Sequence, residues 1–472
     1  MALPYFTNQT QSLEFMRGKE RIFDASDPGT GKTRVAIEGY FERRLRGGGC
    51  ALVLAPRSLL KAAWGNDVRK FAPSSTVSIA YAENRSAAFE RPADFYITNH
   101  DAVKWLAKQP DEFFKRFDTL IIDEAGAFKH STSDRSKALN KVKKHFQYRH
   151  IMNGTPSPNS ITDLWNQVFV LDDGASLGPS FFAFRSAVCT PKQVGPSARM
   201  IQWRDKEGAS DAVAKCMEPY TIRHKFEDCI SIPENHTYTV PYDLPESQAR
   251  VYREMKDAQV ALLVPKDKLA AFALARSSGL SISQALSTVG VAIEAVNAAT
   301  VTTKLLQIAS GAVYQNSDEY HLIDTARYEL VLDMAETRPH TVVFFLWKHQ
   351  KDFLVAEATK RGLSFGVIDG SVSDARRDET VDFFQKGLYR IVFAHPQSAA
   401  HGLTLTRGSA TIWASPTYNL EHFQQGGRRI YRAGQTQKTE TITVIAPGTI
   451  EEHVWEALQT KQVRMDELLL QL

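Results

Sequence analysis

Five consecutive apolar residues, Ala51 to Ala55, stop abruptly at Pro56. A strand with one wet face alternates apolar and polar side chains. A run this short and this uniformly apolar needs cover on both faces, as in a parallel sheet. Similar runs stand at Phe95–Thr98, Thr119–Ile122 and His150–Asn153, and again at Val342–Phe345, Phe365–Ile368, Ile391–Ala394, Thr411–Ala414 and Thr441–Ile445. Amphipathic stretches separate them. From Thr33 to Gly47, for example, Val35, Ala36, Ile37, Tyr40, Phe41 and Leu45 recur at helical spacing before a Gly-Gly-Gly stop. Strands alternating with helices predict an α/β fold with parallel sheets, and the restart of the pattern predicts two such lobes. The predicted lobes span 1–232 and 233–472. Each carries an insertion of different character: about 172–218, irregular and rich in Gly, Ser and aromatics, and about 246–309, Ala- and Leu-rich with helical spacing.

The 472 residues are 43% hydrophobic and 23% charged, close to the globular average, which excludes disordered, collagen-like and disulfide-scaffold chains. No apolar run approaches the roughly 20 residues of a membrane span. The start, MALPYFTNQT, lacks the basic and apolar regions of a secretory signal. A soluble, intracellular protein without membrane contact is expected. Cys50, Cys189, Cys216 and Cys229 form no CxxC pair and read as reduced, partly buried thiols. With 57 basic and 53 acidic residues the net charge is +4, too even to diagnose a nucleic-acid binder, so local clusters must decide.

Residues 26–33 read SDPGTGKT and open the first helical stretch. A Gly-rich turn there aims backbone N–H groups at phosphate oxygens, with the helix dipole behind them. Lys32 supplies a point charge for β- and γ-phosphates, and Thr33 a hydroxyl for Mg²⁺. Ser26 stands where the usual pattern has its first Gly. Such a loop needs a carboxylate at a neighbouring strand end, and TLIIDE at 119–124 supplies two. Asp123 would hold Mg²⁺ through water while Glu124 orients and deprotonates the attacking water, a pairing suited to hydrolysis.

DPGTGKT and IIDEAG resemble motifs I and II of superfamily 2 helicases and translocases (DEAD/DEAH-like motors), and their surroundings resemble the Swi/Snf-type double-stranded DNA translocases among them. LVLAPRSLLKAAW at 52–64 is similar to motif Ia, ITNHDAV at 97–103 to motif Ib, and NGTPSPNSITDLW at 153–165 to motif III. IRHKFEDCISIP at 222–233 resembles the brace leaving the first lobe. In the second lobe VVFFLW is similar to motif IV, IDGSVSDARRDETVDFF at 368–384 to the segment after it, AAHGLTL at 399–405 to motif V, and QGGRRIYRAGQ at 425–435 to motif VI. Four positions depart from the pattern: Gly126 for His, Asn153 for Thr or Ser, Thr404 for Asn, and Ser415 for Asp.

The resemblance implies two RecA-like parallel-sheet lobes in tandem, each with a mainly helical insertion, using ATP and Mg²⁺ to move along double-stranded or branched DNA. It implies that Pro28, Gly29, Thr30, Gly31, Lys32, Thr33 and Gly402 touch the nucleotide, that Gln9 or its rival Gln11 reads the adenine edge, and that Thr33 and Asp123 hold the metal. Catalysis would fall to Lys32, Asp123 and Glu124, with Arg429 and Arg432 reaching across from the second lobe as arginine fingers. Gly154 and Thr155 would couple hydrolysis to motion. Arg57, Ser58, Asn99, Lys129, Ser371 and Thr404 would meet the DNA backbone. Both halves of the ATP site lie in one chain, which predicts a monomeric motor in a bacterial or phage-infected cytoplasm, serving replication, recombination or repair.

Two features stay open. Lys129–Arg149 carries seven Lys or Arg against one acid, Asp134, and reads either as a phosphate-binding patch or as a solvated helix face. Phe113-Phe114 and Phe181-Phe182 read as core rather than as stacking platforms. Besides the translocase, the residues allow a strand-separating DNA or RNA helicase and, from another class, a nucleotide-gated DNA-binding scaffold with little turnover.

Overall fold

The computed structural model describes residues 4–157, 159–194, 200–263, 269–280, 284, 291–294, 298–316, 319–399 and 403–471. The chain divides into two units, Met1–Ile232 with Thr460–Leu472, and Pro233–Gln459.

The first unit is built on β1 (Arg21–Asp24), β2 (Cys50–Ala55), β3 (Val77–Ala80), β4 (Phe95–Asn99), β5 (Phe117–Asp123), β6 (Tyr148–Met152) and, beyond an antiparallel ribbon of β7 (Cys189–Gln193) and β8 (Ile201–Asp205), β9 (Thr221–Ile222). Seven of these form a sheet in the order β3-β4-β2-β5-β6-β1-β9, every pairing parallel. The apolar run in β2 is buried throughout. Alternation splits it between the two faces of the sheet. Ala51, Val53 and Ala55 pack with Ile37 and Tyr40 of the helix Lys32–Leu45 and with Trp64 and Val68. At about 1.5–3 kcal/mol per fully buried large apolar side chain, this core outweighs any local preference of its strands.

The second unit holds β10 (Asn235–Pro241), the short pairs β11 (Val260–Leu263) with β12 (Val291–Glu294) and β13 (Ala312–Tyr314) with β14 (Tyr320–Leu322), then β15 (Thr341–Phe344), β16 (Phe365–Ile368), β17 (Ile391–Ala394), β18 (Ala410–Trp413) and β19 (Thr439–Ile445). The order β10-β19-β18-β15-β17-β16 is again all parallel. Here too the continuous runs divide by parity. Val343, Phe393 and Ile412 meet Leu332 and Leu354 on one face, while Val342, Phe344, Val392 and Trp413 meet Phe384 and Ile430 on the other.

The predicted α/β class with two parallel-sheet lobes is the observed one. The first insertion departs from its mainly helical expectation. Between the helices Phe181–Val188 and Ala209–Met217 stands the β7–β8 ribbon, paired Cys189 to Asp205 through Gln193 to Ile201. No helix among the described residues is long and apolar enough to cross a membrane. The four cysteines are unpaired, and Cys216 is exposed rather than partly buried.

Among the described residues, three histidines are buried beside these sheets. Burial disfavours the imidazolium and holds His100 and His150 near pKa 4 and His349 near 3, against 6.5 when free. Below pH 6.5 the unfolded chain therefore takes up protons that the native state refuses, so stability is lost as pH falls from 6.5 toward 4. The urea midpoint should drop steeply across that window, and His150→Gln should flatten the drop. A midpoint independent of pH there would show that these rings titrate normally.

Candidate nucleotide site and nucleic-acid interface

In an open parallel sheet, ligand-binding residues collect where the strands end in their carboxyl direction. That edge of the first unit holds every residue of its marked phosphate chemistry. Asp24 of β1 is in register with Met152 of β6, and Met152 with Asp123 of β5. The phosphate loop, residues 153–155 and the Asp123-Glu124 pair therefore leave three adjacent strands at one level.

The loop is held from outside. Ser26 donates its backbone N–H to Asp24 Oδ1 at 3.0 Å, and its hydroxyl accepts from the His224 N–H at 3.0 Å. That second bond is what a Gly at 26 would lose; it adds to the backbone bonds from Ala25 to Ile222 and from Asp27 to His224 that tie the loop to β9 and the residues after it. Asp27 accepts from the Phe226 N–H at 3.1 Å and pairs with Arg223 at 3.7 Å. The Phe226 ring lies 3.0 Å from where a Cβ on Gly29 would stand. Gly31, at φ +87°, has the left-handed conformation that glycine accepts at least cost, and the Gln9 amide occupies the space a Cβ would need. Lys32 donates to the Asp27 carbonyl at 3.1 Å and to that of Ser26, which keeps its ammonium inside the loop. Pro28 and Thr30 lie in the turn, with the Thr30 hydroxyl on the Asp27 carbonyl at 2.8 Å, and Thr33 follows Lys32 in the first turn of the helix.

The helix Thr7–Met16 braces this loop. Gln9 is 3% exposed and its Oε1 accepts from the Phe6 N–H at 3.1 Å, whereas Gln11 is exposed. Asn8, which the sequence did not flag, donates to the Thr30 carbonyl at 2.9 Å. Its only signal was adjacency to Gln9.

Asp123 is buried. One carboxylate oxygen accepts from the Trp64 indole N–H at 2.9 Å, fixing the plane of the group. Burial raises its pKa, with the Trp64 bond and the nearby Lys32 charge opposing the rise. His100 Nε2 lies 2.7 Å from the Asp123 carbonyl; a carbonyl can only accept, so that nitrogen carries the proton. Glu124 follows at φ +52°, one of three non-glycine residues with positive φ among those described. Holding a Glu there costs about 1–2 kcal/mol. It turns the chain sharply as β5 ends and swings the Glu124 side chain out of the strand's alternation.

The first two departures from the motif pattern touch each other. A Cβ on Gly126 would stand 3.3 Å from Asn153 Nδ2. Asn153, 1% exposed, donates to Gln167 Oε1 at 2.6 Å and accepts from the Thr155 N–H at 3.1 Å, while its own N–H meets the Asp24 carbonyl at 3.0 Å. Gln167 in turn donates to the Pro156 and Asp163 carbonyls at 2.8 Å each. A Cβ on Gly154 would lie 2.8 Å from Pro28 Cδ, so the 153–155 turn abuts the phosphate loop directly. Gln167 carried no motif signal, and only its buried amide reveals it.

Arg57 is exposed and Ser58 half-buried after β2, and Lys129 is half-buried after β5. Asn99 ends β4 with its Oδ1 on Arg85 at 3.0 Å. The Lys129–Arg149 cluster does not act as one patch. Lys143 and Arg149 are buried at the end of the helix Leu164–Asp172, where both donate to its last carbonyls and pair with Asp173 at 3.0 and 2.7 Å. Arg135 pairs with Asp101 at 2.8 Å. Lys137, Lys141 and Lys144 are exposed. Phe113 and Phe114 pack among Phe89, Phe117 and Phe146 as expected, but Phe182 is 67% exposed, against the core reading.

In the second unit Arg429 and Arg432 converge on one atom. Both donate to the Leu403 carbonyl, at 3.3 and 2.9 Å, and Arg429, 7% exposed, also donates to the Gln425 carbonyl at 3.0 Å. Thr404, half-buried, follows that carbonyl; Gly402 lies outside the described residues. Gln435 spends its amide on the backbone of Thr406, Gly408 and Ile430, a staple between the two motif loops. Ser371 donates its hydroxyl to Asp369 at 2.6 Å. Ser415 accepts from Gln350 at 2.8 Å, so the buried amide there meets a neutral hydroxyl.

Residues 9–296 match the SNF2-related domain and residues 323–434 the helicase conserved C-terminal domain. The chain is 27% identical to protein p41 of Acyrthosiphon pisum secondary endosymbiont phage 1 over 93% of its own length and 92% of that protein's. It is 23% identical to an uncharacterized ATP-dependent helicase of Mycoplasma pneumoniae, covering 98% of this chain but only 42% of that one. Among solved structures it is similar to the Sulfolobus solfataricus SWI2/SNF2 ATPase core in complex with dsDNA, at 20% identity and a TM-score of 0.44 over 99% of this chain and 93% of the other. With the first match running through more than half of its length, the chain belongs to the SNF2-related family.

Proposed function

We propose that the chain is an ATP-dependent motor that tracks along or remodels duplex or branched DNA, in the service of replication, recombination or repair. The observation that supports this best is the assembly of Lys32, Asp123 and Glu124 at one edge of one parallel sheet, backed by residues 153–155. Lys32 would bind the β- and γ-phosphates, Glu124 would take a proton from the attacking water, and the Trp64 indole would keep Asp123 oriented. The donor set fits Mg²⁺. Among the described residues no cluster of His, Cys, Asp and Glu forms a metal cage, and Mg²⁺ commonly takes one or two protein oxygens; here the Thr33 hydroxyl would bind it directly and Asp123 through water, with substrate phosphates completing its shell. The ion would supply charge neutralisation on the transferring phosphoryl group. Arg429 and Arg432 would add charge stabilisation in the same step. Arg57, Ser58, Asn99, Lys129, Ser371 and Thr404 would meet DNA phosphates, a sequence-independent grip suited to movement. We place the motor, acting as a monomer, in the cytoplasm of a bacterial or phage-infected cell, in keeping with its phage relative.

Steady-state ATP hydrolysis should rise at least tenfold with duplex or forked DNA and vanish in Lys32→Ala. Stimulation by single strands or RNA alone would replace the translocase with a strand-separating helicase. ATP binding with no turnover on any nucleic acid would leave a nucleotide-gated binder instead.

A further inference from the structure

The β7–β8 ribbon serves neither the ATP site nor the sheet core, yet its base is firmly fixed. Asp205 accepts from the Ser160 hydroxyl at 2.7 Å and from the Ile161 N–H at 3.3 Å, and the Cys189 thiol donates to it at 3.4 Å. Lys206 donates to the Ser186 and Ala187 carbonyls at 2.8 Å each. Ser160 and Ile161 lie a few residues beyond 155, and Ser186 and Ala187 in the helix Phe181–Val188. Trp165, in the helix that also carries Gln167, packs edge-on against Phe181 at 5.6 Å. The ribbon is thus joined by short contacts to the segment beside the phosphate loop.

Its outer part is unusual for a surface. Phe182 is 67% exposed, and Val194, Met200 and Ile201 are exposed with it. The Arg185 guanidinium lies 4.0 Å from the Trp203 ring centre and 5.4 Å from that of Phe182, which holds a cation beside two aromatic faces. Alternation along the ribbon puts Lys192 and Arg204 on the face with Thr190 and Gln202, opposite the face of Pro191 and Trp203. From Phe181 to Lys206 the sequence has five basic residues and one acid. That acid is Asp205, bonded inward at the base. A wholly apolar patch would suit another protein, whereas one exposed aromatic beside the Arg185 cation, with Lys192 and Arg204 exposed across the ribbon, matches a stacked base and the charged backbone of a single strand.

We propose that this ribbon and the helix Phe181–Val188 form a second nucleic-acid surface, on which an unpaired base stacks against Phe182 beside Arg185 and Trp203 while the strand's backbone crosses the ribbon's edge to Lys192 and Arg204 on its other face. The proposal rests on the motor reading and narrows its substrate: the preferred DNA has an unpaired strand beside the duplex, as at a fork. Anchored a few residues beyond 155, the surface would report the presence of that strand to the phosphate loop.

The test is fluorescence anisotropy of the full chain, without nucleotide, on a blunt duplex, a fork and a single strand of matched length. Phe182→Ala should weaken fork and single-strand binding about tenfold, since base stacking on an aromatic is worth about 1–3 kcal/mol, and leave blunt-duplex affinity unchanged. Phe182→Trp should restore it. Lys192→Ala with Arg204→Ala should lower the salt slope on the single strand by about 1.4, about 0.7 for each phosphate that is no longer neutralised. A fork carrying 5-iodouracil in its unpaired arm should crosslink to Phe181 or Phe182. Unchanged melting temperatures would separate loss of binding from loss of fold. Fork affinity within twofold of wild type in both variants, with no crosslink between 181 and 206, would overturn the proposal and point to a protein partner for the patch. Because no ATP is present, an absence of DNA-stimulated hydrolysis would sink the motor reading without touching this result.

Discussion

Glu124→Gln should lower ATP turnover about a thousandfold while nucleotide affinity stays within a few-fold of wild type. The exchange keeps shape and removes only basicity, and a positioned general base contributes about 10²–10⁴ in rate. The backbone sharpens the expectation. Glu124 sits at φ +52°, where a side chain with a Cβ is strained, and strain of that kind persists only when its surroundings enforce it. Glu124→Gly would relax the strain as well as remove the carboxylate, so it should lose turnover as completely and yet unfold at no lower temperature. Measuring phosphate release and thermal melting on the three proteins separates the two contributions. Turnover within tenfold of wild type in Glu124→Gln would remove Glu124 from the chemistry.

The parts of this molecule that were legible in the sequence are those where burial leaves little choice. Residues 391–394 can hide four apolar side chains only as an inner strand, and that strand was read correctly at both ends. The strands that escaped notice have weaker signals. Arg21–Asp24 is four residues long and begins and ends in charge, and Asn235–Pro241 lies largely exposed with no apolar run. Their place in the sheets comes from pairing with distant partners, Arg149–Met152 and Thr439–Ile445, which no local window contains. The ribbon was hidden for a different reason: its strands pair locally but are mostly polar, so no apolar run marks them. In the site, the loop and carboxylates were visible because their spacing is dictated by phosphate geometry. Asn8 acts through one hydrogen bond to the Thr30 carbonyl and Gln167 through bonds to Asn153 and the Pro156 and Asp163 carbonyls, and such bonds leave no periodic trace.

Gly126 and Asn153 look like independent losses when read along the chain; in space they fit each other. With no side chain at 126, the Asn153 amide fills the gap and reaches Gln167, and so ties the turn after β6 to the helix Leu164–Asp172. Asn153→Ala would leave the Gln167 oxygen and the Thr155 N–H without their partners in a buried site, at about 1–3 kcal/mol for each group. The urea midpoint should fall accordingly, and the ratio of DNA-stimulated to basal hydrolysis should fall with it, because residues 153–155 abut the phosphate loop at Pro28. Gly126→His should also be harmful, since its Cβ alone would press to 3.3 Å from Asn153 Nδ2. Gly126→His with Asn153→Ser, however, removes the obstruction and gives the new ring a hydroxyl partner. The double variant should therefore be milder than the sum of the two single ones by about 1–2 kcal/mol, within the range of coupling seen for touching residues. Additivity to within about 0.5 kcal/mol would mean that the two positions do not sense each other. A positive result would show that the space left at Gly126 is what lets the Asn153 amide tie its turn to the helix Leu164–Asp172, and an amide stays uncharged across the pH range in which a histidine would titrate.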